Sequence, residues 1–344
     1  MKCSLRLSLI VSALLFVPFA FSQSDAFLWT ADGGMQDLGV LAGWQGSAGG
    51  SINKTGTIVG SLSKTDGGQQ DITSFGWKDG IGMHYLDGLS FTNSLPTAIN
   101  NRGQVVGMSH NASGQYHAFL WTREGKAQDL GTLGGQTSVA FAINNLGQIV
   151  GESQIANGNS HAFLWTQEQG MQDLMTLSHE SCPNCTTTAY GINDDGVIVG
   201  QLSGNQNAHF VFAYVWKNGY GKSLGDLGGT GLNRGSAAFG INNEGQVVGL
   251  AVTPSGNQHA FLWTQAGGMQ DLGTLPGGSA SIATGINNVG QVVGWSYVPG
   301  LGITHAFLWN APTGMQDLGT LGGPTSGATA INDSGEVTGV ADLP

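Results

Sequence analysis

Seven tryptophans mark out a repeat. Trp29, Trp77, Trp121, Trp165, Trp216, Trp263 and Trp309 each close a run like Ala-Phe-Leu-Trp, at intervals of 48, 44, 44, 51, 47 and 46 residues. Seven Ile-Asn pairs keep the same beat, beginning at Ile52, Ile99, Ile143, Ile192, Ile241, Ile286 and Ile331. Residues 23–344 divided by seven give 46 per unit. The units therefore fill one domain, and no room is left for a second domain or a linker.

Each unit splits into four short runs. The four kinds, quoted from neighbouring copies, are "SVAFAIN" followed by a turn, "QIVGES" followed by a polar loop, "HAFLWT" followed by a second turn, and "AQDLGTL". One strand per 11 or 12 residues is all-β spacing. No segment sustains a period of about 3.6 residues, so helix is nearly absent. The 58 glycines and the low charged content of 10% suit short strands joined by tight turns. Asn144-Asn145-Leu146-Gly147 puts Asn and Gly where positive φ is needed.

Four strands in a period of 40 to 50 residues predicts the blade of a β-propeller. A solenoid would use shorter coils and distinct caps at both ends. Here the ends complement each other. The chain opens on a third strand (Ala26 to Thr30) and a fourth (Met35 to Leu41), and finishes on a first (Gly327 to Asn332) and a second (Glu336 to Ala341). The fold expected is all-β: seven blades of four antiparallel strands, the ring closed by both termini in one shared blade. Stacked sheets bury both faces of a strand, which explains the unbroken apolar run "AFLW". The seven tryptophans are expected to pack blade on blade. Trp44 and Trp295 fall outside the pattern and are the better candidates for exposed rings. The first strands should face the axis; they are small-residue runs in which nothing acidic or basic is gathered.

Four units carry His four residues before Trp and Asp twelve residues after that His: His117 and Asp129, His161 and Asp173, His259 and Asp271, His305 and Asp317. The first unit has Asp25 and Asp37 instead. The second has Thr73 and Tyr85, and the fifth Phe212 and Ser223. Joint presence and absence predicts a pair in which a buried imidazole N–H donates to a carboxylate within the blade. Four equivalent copies around a ring argue against a catalytic pair, which needs one nucleophile at one place. The repeated Ser of "GGQTS" is read as turn chemistry. No catalytic, cofactor or metal residue is expected. Calcium at Asp194, Asp195 or Asp333 is a minor alternative, since no complete calcium-loop motif is present.

Residues 1–22 have basic Lys2 and Arg6, an apolar run from Leu7 to Phe19 and small residues before Gln23, the pattern of a cleaved secretory signal. The run is shorter than the roughly 20 residues of a membrane span. Loss of the leader removes two of the 11 basic residues and none of the 22 acidic ones, for a net charge of −13. That charge argues against nucleic acid as a partner and disfavours anionic membranes. Cys182 and Cys185 are read as a local disulfide of an exported chain. A redox pair lacks its βαβ context, and zinc lacks further ligands. Glycan acceptor triplets begin at Asn53, Asn111, Asn184 and Asn332.

On "HAFLWT", "GMQDLGTLGG" and "AINNxGQVVG" the chain resembles the HAF family of extracellular repeats. The likeness is strong in units three, four, six and seven, good in the second half of unit one, and weak in two and five. It implies export and a repeat fold, and no reaction. The function expected is a secreted, non-catalytic, monomeric scaffold that binds an extracellular glycan, envelope component or protein. The protein would be periplasmic in a host with an outer membrane. The contacts would come from loops around units two and five, near Ser178 to Thr187 and Gly204 to Ala208. The runner-up is a carbohydrate-active enzyme using loop acids such as Glu168, Glu180, Asp194, Asp195 and Glu244. A purely structural surface protein is the third reading.

Overall fold

The computed structural model describes residues 24–86, 93–124, 127–177, 185–204, 211–230, 234–299 and 303–344. The leader, Cys182, Glu180, Asn184 and most of the two inserts lie outside these residues. The described residues form seven separate four-stranded antiparallel sheets, the blades of a propeller, and one short helix, Leu174–Leu177.

Blade one is the shared blade. Its strand order is Gly34–Asp37, Ser24–Thr30, Val337–Asp342, Ser326–Ile331. The join runs from Ser24 opposite Asp342 to Trp29 opposite Val337. Ser24 Oγ donates to Asp342 Oδ1 at 2.7 Å, and Thr338 Oγ1 to the Phe27 carbonyl at 2.9 Å. The other six blades each follow chain order from the innermost strand outward; blade four, for example, runs Gly134–Ile143, Ile149–Ile155, Ser160–Thr166, Gly170–Asp173. Because neighbours are antiparallel, the turns between strands one and two share a face with those between three and four. The longer connections lie on the opposite face.

Every first strand bulges at the same place: Gly50, Thr97, Phe141, Tyr190, Phe239, Thr284 and Thr329 sit between shifted registers. A bulge bends the strand locally. The threonines use it to reach the next blade: Thr97 Oγ1 donates to the Ala140 carbonyl at 2.8 Å, and Thr329 Oγ1 to that of Gly49 at 2.8 Å. On blades four to six, aromatic rings fill that place, Phe141 to Tyr190 to Phe239, each step 5.2 Å between centroids. The glycine of each "VVG" run is forced by the same crowding. A methyl group on Gly151 would overlap the Val139 carbonyl oxygen and the Phe163 ring.

The tryptophans lie between blades. Six are buried and Trp263 is partly buried against the cluster of Val247 and Phe261. Trp165, on blade four, packs with Val106 and Leu120 of blade three. Trp165→Ala should cost roughly 3–5 kcal/mol of unfolding free energy, read from urea unfolding; a loss below about 1 kcal/mol would place the ring outside the core. The repeated serine does more than turn. Ser138 Oγ accepts the Ala118 N–H of the preceding blade at 2.9 Å and donates to the Gly131 carbonyl at 2.6 Å, tying blade three to blade four. Equivalent links start at Ser47, Thr187, Ser236, Ser281 and Ser326.

Trp44 and Trp295 do not present free rings. Trp44 packs partly buried against blade two, donates Nε1–H to the Tyr85 hydroxyl at 3.0 Å, and has the Lys64 ammonium 5.4 Å above it. Trp295 packs partly buried beside Phe239 and Leu250. Cys185 is buried and disulfide-bonded.

Candidate functional site at the axial mouth

Each first strand ends in Ile-Asn followed by one more polar residue, and the seven triplets converge on one cavity at the turn face. Its volume is about 180 Å³, room for about six waters. The isoleucines line it deeply, and the third residue of each triplet forms the rim.

The middle residue builds a closed circuit. Asn53 Nδ2 donates to the Asn100 carbonyl, Asn100 to Asn144, Asn144 to Asn193, Asn193 to Asn242, Asn242 to Asn287, Asn287 to Asn332 and Asn332 back to Asn53, all at 3.0–3.2 Å. Each Oδ1 meanwhile accepts backbone N–H from its own turn, as Asn144 does from Leu146 and Gln148 at 3.1 and 2.9 Å. An amide is needed because one group must both donate across blades and accept within one. Asn242→Ala would leave the Gln246 N–H without its acceptor and the Asn287 carbonyl with the Gly290 N–H alone, and should cost about 1–3 kcal/mol for the one orphaned donor. Calorimetry tests this; an unchanged melting midpoint would contradict it.

The rim residue builds a second circuit that does not close. The N–H of Lys54 donates to Asn101 Oδ1, Asn101 to Asn145, Asn145 to Asp194, Asp194 to Asn243, Asn243 to Asn288 and Asn288 to Asp333, at 2.8–3.0 Å. The seventh link would run from Asp333 to position 54. Lysine offers no side-chain oxygen, so the Asp333 N–H lacks the acceptor its six equivalents have. Asp194 is held from both sides: its Oδ2 accepts from Asn145 Nδ2 at 2.9 Å and Asn243 Nδ2 at 3.0 Å. Partial burial pushes its pKa up, but those donors and the charge of Arg102 outweigh it and leave it below the usual carboxylate value.

The first strands carry no charged residue, as read from the sequence, but the positions just beyond Ile-Asn do. Lys54, Asp194 and Asp333 all reach the mouth. The arrangement also removes two of the glycan sites, because the Asn53 and Asn332 side chains are buried in the closed circuit. The Asn111 amide donates to His117 Nε2 at 3.2 Å. Among the described residues, no group of three or more His, Cys, Asp or Glu is placed to hold a metal ion. The loop acids divide: Asp194, Asp195 and Glu244 lie together on blades five and six of the turn face, while Glu168 stands exposed on an outer turn.

The four His–Asp pairs lie away from the mouth, each bridging a third strand to a fourth. His Nδ1 to Asp carboxylate distances are 2.9 Å for His117–Asp129, 2.7 Å for His161–Asp173, 2.9 Å for His259–Asp271 and 2.8 Å for His305–Asp317. Buried imidazoles were expected, yet only His161 is buried; of the carboxylates, Asp129, Asp271 and Asp317 are 42–45% exposed. The aspartates have a second task. Asp129 Oδ1 accepts the Gly131 N–H at 2.8 Å, and Asp37 does the same for Gly39 at 2.7 Å although its blade has no His. In that blade Asp25 takes the histidine's place, two residues before the Phe27 that pairs with Asp37. Burial, then the adjacent Asp37 carboxylate, push Asp25 up to about 6.

No protein-family model and no curated protein matches the sequence. Several solved structures share the fold. The β-propeller domain of the Trilobed protease from Pyrococcus furiosus, described as having an open velcro topology, aligns with a TM-score of 0.56 at 9% identity, over 83% of this chain and 88% of that one. A puromycin-hydrolyzing peptidase of Mycobacterium tuberculosis gives 0.52 at 11% identity, over 80% of this chain and 47% of that one. Pyrococcus horikoshii acylaminoacyl peptidase gives 0.50 at 11%, over 79% and 45%. This chain thus spans about half of either peptidase. At such identities the likeness is one of fold. Among the described residues, no helix is long and apolar enough to cross a membrane.

Proposed function

We propose that the chain is an exported, non-catalytic binding scaffold of the HAF-repeat kind, whose ligand is an extracellular glycan or envelope component held at the axial mouth. One observation carries the reading. Seven turns bring side chains from every blade to the rim of a single cavity, and a closed amide circuit fixes them there before any ligand arrives. Pre-organised polar groups around an apolar floor are what a specific small-group site requires. The leader at residues 1–22 and the HAF resemblance support export.

The test uses purified residues 23–344 with insoluble polysaccharides and cell-envelope fractions. Depletion of protein from solution and release of reducing ends are measured in the same tubes. Depletion without new ends is expected. Heat-labile release of ends would overturn the non-catalytic reading and direct attention to Asp194, Asp195 and Glu244. Neither signal would reject a glycan or envelope ligand.

A further inference from the structure

The rim is electrically divided, and the division is not random around the ring. Lys54 belongs to blade two and Arg102 to blade three. Asp194 and Asp195 belong to blade five and Glu244 to blade six. The cavity-lining charges are Lys54, Asp194 and Asp333; Lys54 stands three blade positions from Asp194 in one direction and four in the other, so the two face each other across the mouth, while Asp333, on blade one, has both carboxylate oxygens engaged by Asn288 of blade seven. No ion pair joins Lys54 to a carboxylate among the described residues.

The hydrogen-bond inventory sharpens the picture. At the seam between blades one and two, the Lys54 ammonium and the Asp333 N–H offer donors for a carboxylate. Across the mouth, Asp194 has roughly four lone-pair directions. Three are taken, by the Asn145 N–H, Asn145 Nδ2 and Asn243 Nδ2. One remains for an ammonium. Arg102 and the amide donors keep this carboxylate ionised. A simple anion would meet the Asp194 and Asp333 carboxylates, and a simple cation would meet Lys54. A molecule carrying both charges satisfies both sides.

We infer that the axial mouth binds a small zwitterion, a molecule of α-amino-acid size with its carboxylate at Lys54 and the Asp333 N–H and its ammonium at Asp194. This rests on the binding-scaffold reading and narrows it to the zwitterionic, amino-acid-like part of an envelope component. The site also implies a conflict between binding and stability. Six of the seven rim positions carry an oxygen that accepts the N–H of the position before, and Lys54 alone does not. Lys54→Asn would supply the missing acceptor, raising stability while removing the ligand's cationic anchor.

The test is titration calorimetry of residues 23–344 with L-alanine, acetate and methylamine. Alanine should bind about tenfold more tightly than either single-charge probe, as one lost charged hydrogen bond implies. Lys54→Asn should raise the melting midpoint and weaken alanine by at least about tenfold. Asp194→Asn, which copies the residue of four other blades, should weaken alanine and spare acetate. Acetate or methylamine binding as tightly as alanine would overturn the proposal. So would alanine binding unchanged in both variants, or no alanine binding by a wild-type protein that still adheres to envelopes; in that last case the scaffold reading survives and only the zwitterion fails. Loss of both signals in the wild type would sink the scaffold reading with it.

Discussion

Deleting residues 326–344 should abolish cooperative folding of the ring. The deletion removes the two inner strands of blade one, and with them the buried side chains of Ile331, Val337 and Val340. At about 1.5–3 kcal/mol for each large aliphatic side chain, their transfer free energy alone is a large share of the roughly 5–15 kcal/mol that holds a domain folded. The loss extends beyond them. Phe27 and Trp29 pack in the cluster that includes Val337, Ala341 and Val293 of blade seven, so both would face water. The amide circuit would break at two joints, Asn287 to Asn332 and Asn332 to Asn53. Blades two and seven would then face a gap in the ring, and Ser24–Thr30 would lose its partner strand and leave an open edge. Calorimetry and circular dichroism should show a much lower, broader transition, with the truncated chain associating in solution. A sharp transition at the wild-type midpoint would mean that the shared blade contributes nothing to closure.

The second large effect is a stability that rises as the pH falls. Asp25 has an ordinary value of 3.8 and is pushed up to about 6 in the fold by burial and by Asp37. Below about pH 4 it is protonated in folded and unfolded chains alike, and the pair costs nothing. Above about pH 6 it is ionised in both, and the fold carries the whole penalty, roughly 3 kcal/mol at 1.36 per pKa unit. The penalty grows across the window between. Ser47 Oγ, 3.4 Å from Asp25 Oδ1, relieves only part of it. Asp25→Asn should therefore melt several degrees above the wild type at pH 7.5 and alongside it at pH 4. Asp25→His, which installs the pair found in blades three, four, six and seven, should stabilise at neutral pH as well. Asp32→Asn, an equal charge change on an exposed turn, controls for the general negative charge of the chain. If Asp25→Asn and Asp32→Asn behaved alike at every pH, the carboxyl pair would not be coupled in the fold.

The blades, their number and the shared closure were legible because repetition carries them. The tryptophan and Ile-Asn spacings each count seven, and the two ends of the chain supply complementary halves. The mouth was harder to see. Asn144, read within its own repeat, looks like ordinary turn chemistry, and its Oδ1 does hold its own turn. Its second bond, to the Asn193 carbonyl, exists only when the next blade stands beside it. Nothing local distinguishes the two. The clue lay in the column after Ile-Asn, which reads Lys, Asn, Asn, Asp, Asn, Asn, Asp around the ring. The "QDLG" aspartates pair with His as read, and carry a second role that the sequence hid for a related reason. Their pairing with His suggested one role, whereas Asp37 shows that capping the strand exit is sufficient reason for the residue.

The most direct test of the account is to plug the mouth. Asn101 is exposed on the rim and accepts only the Lys54 N–H there, so Asn101→Trp fills the cavity at the loss of one hydrogen bond. Retention of wild type and variant on cell-envelope fractions is compared at equal melting midpoints. The account predicts that the wild type is retained and the plugged protein stays in solution. Equal retention of both would mean that the ligand is taken elsewhere on the propeller, and that the seven converging turns hold the ring together without reading anything outside it.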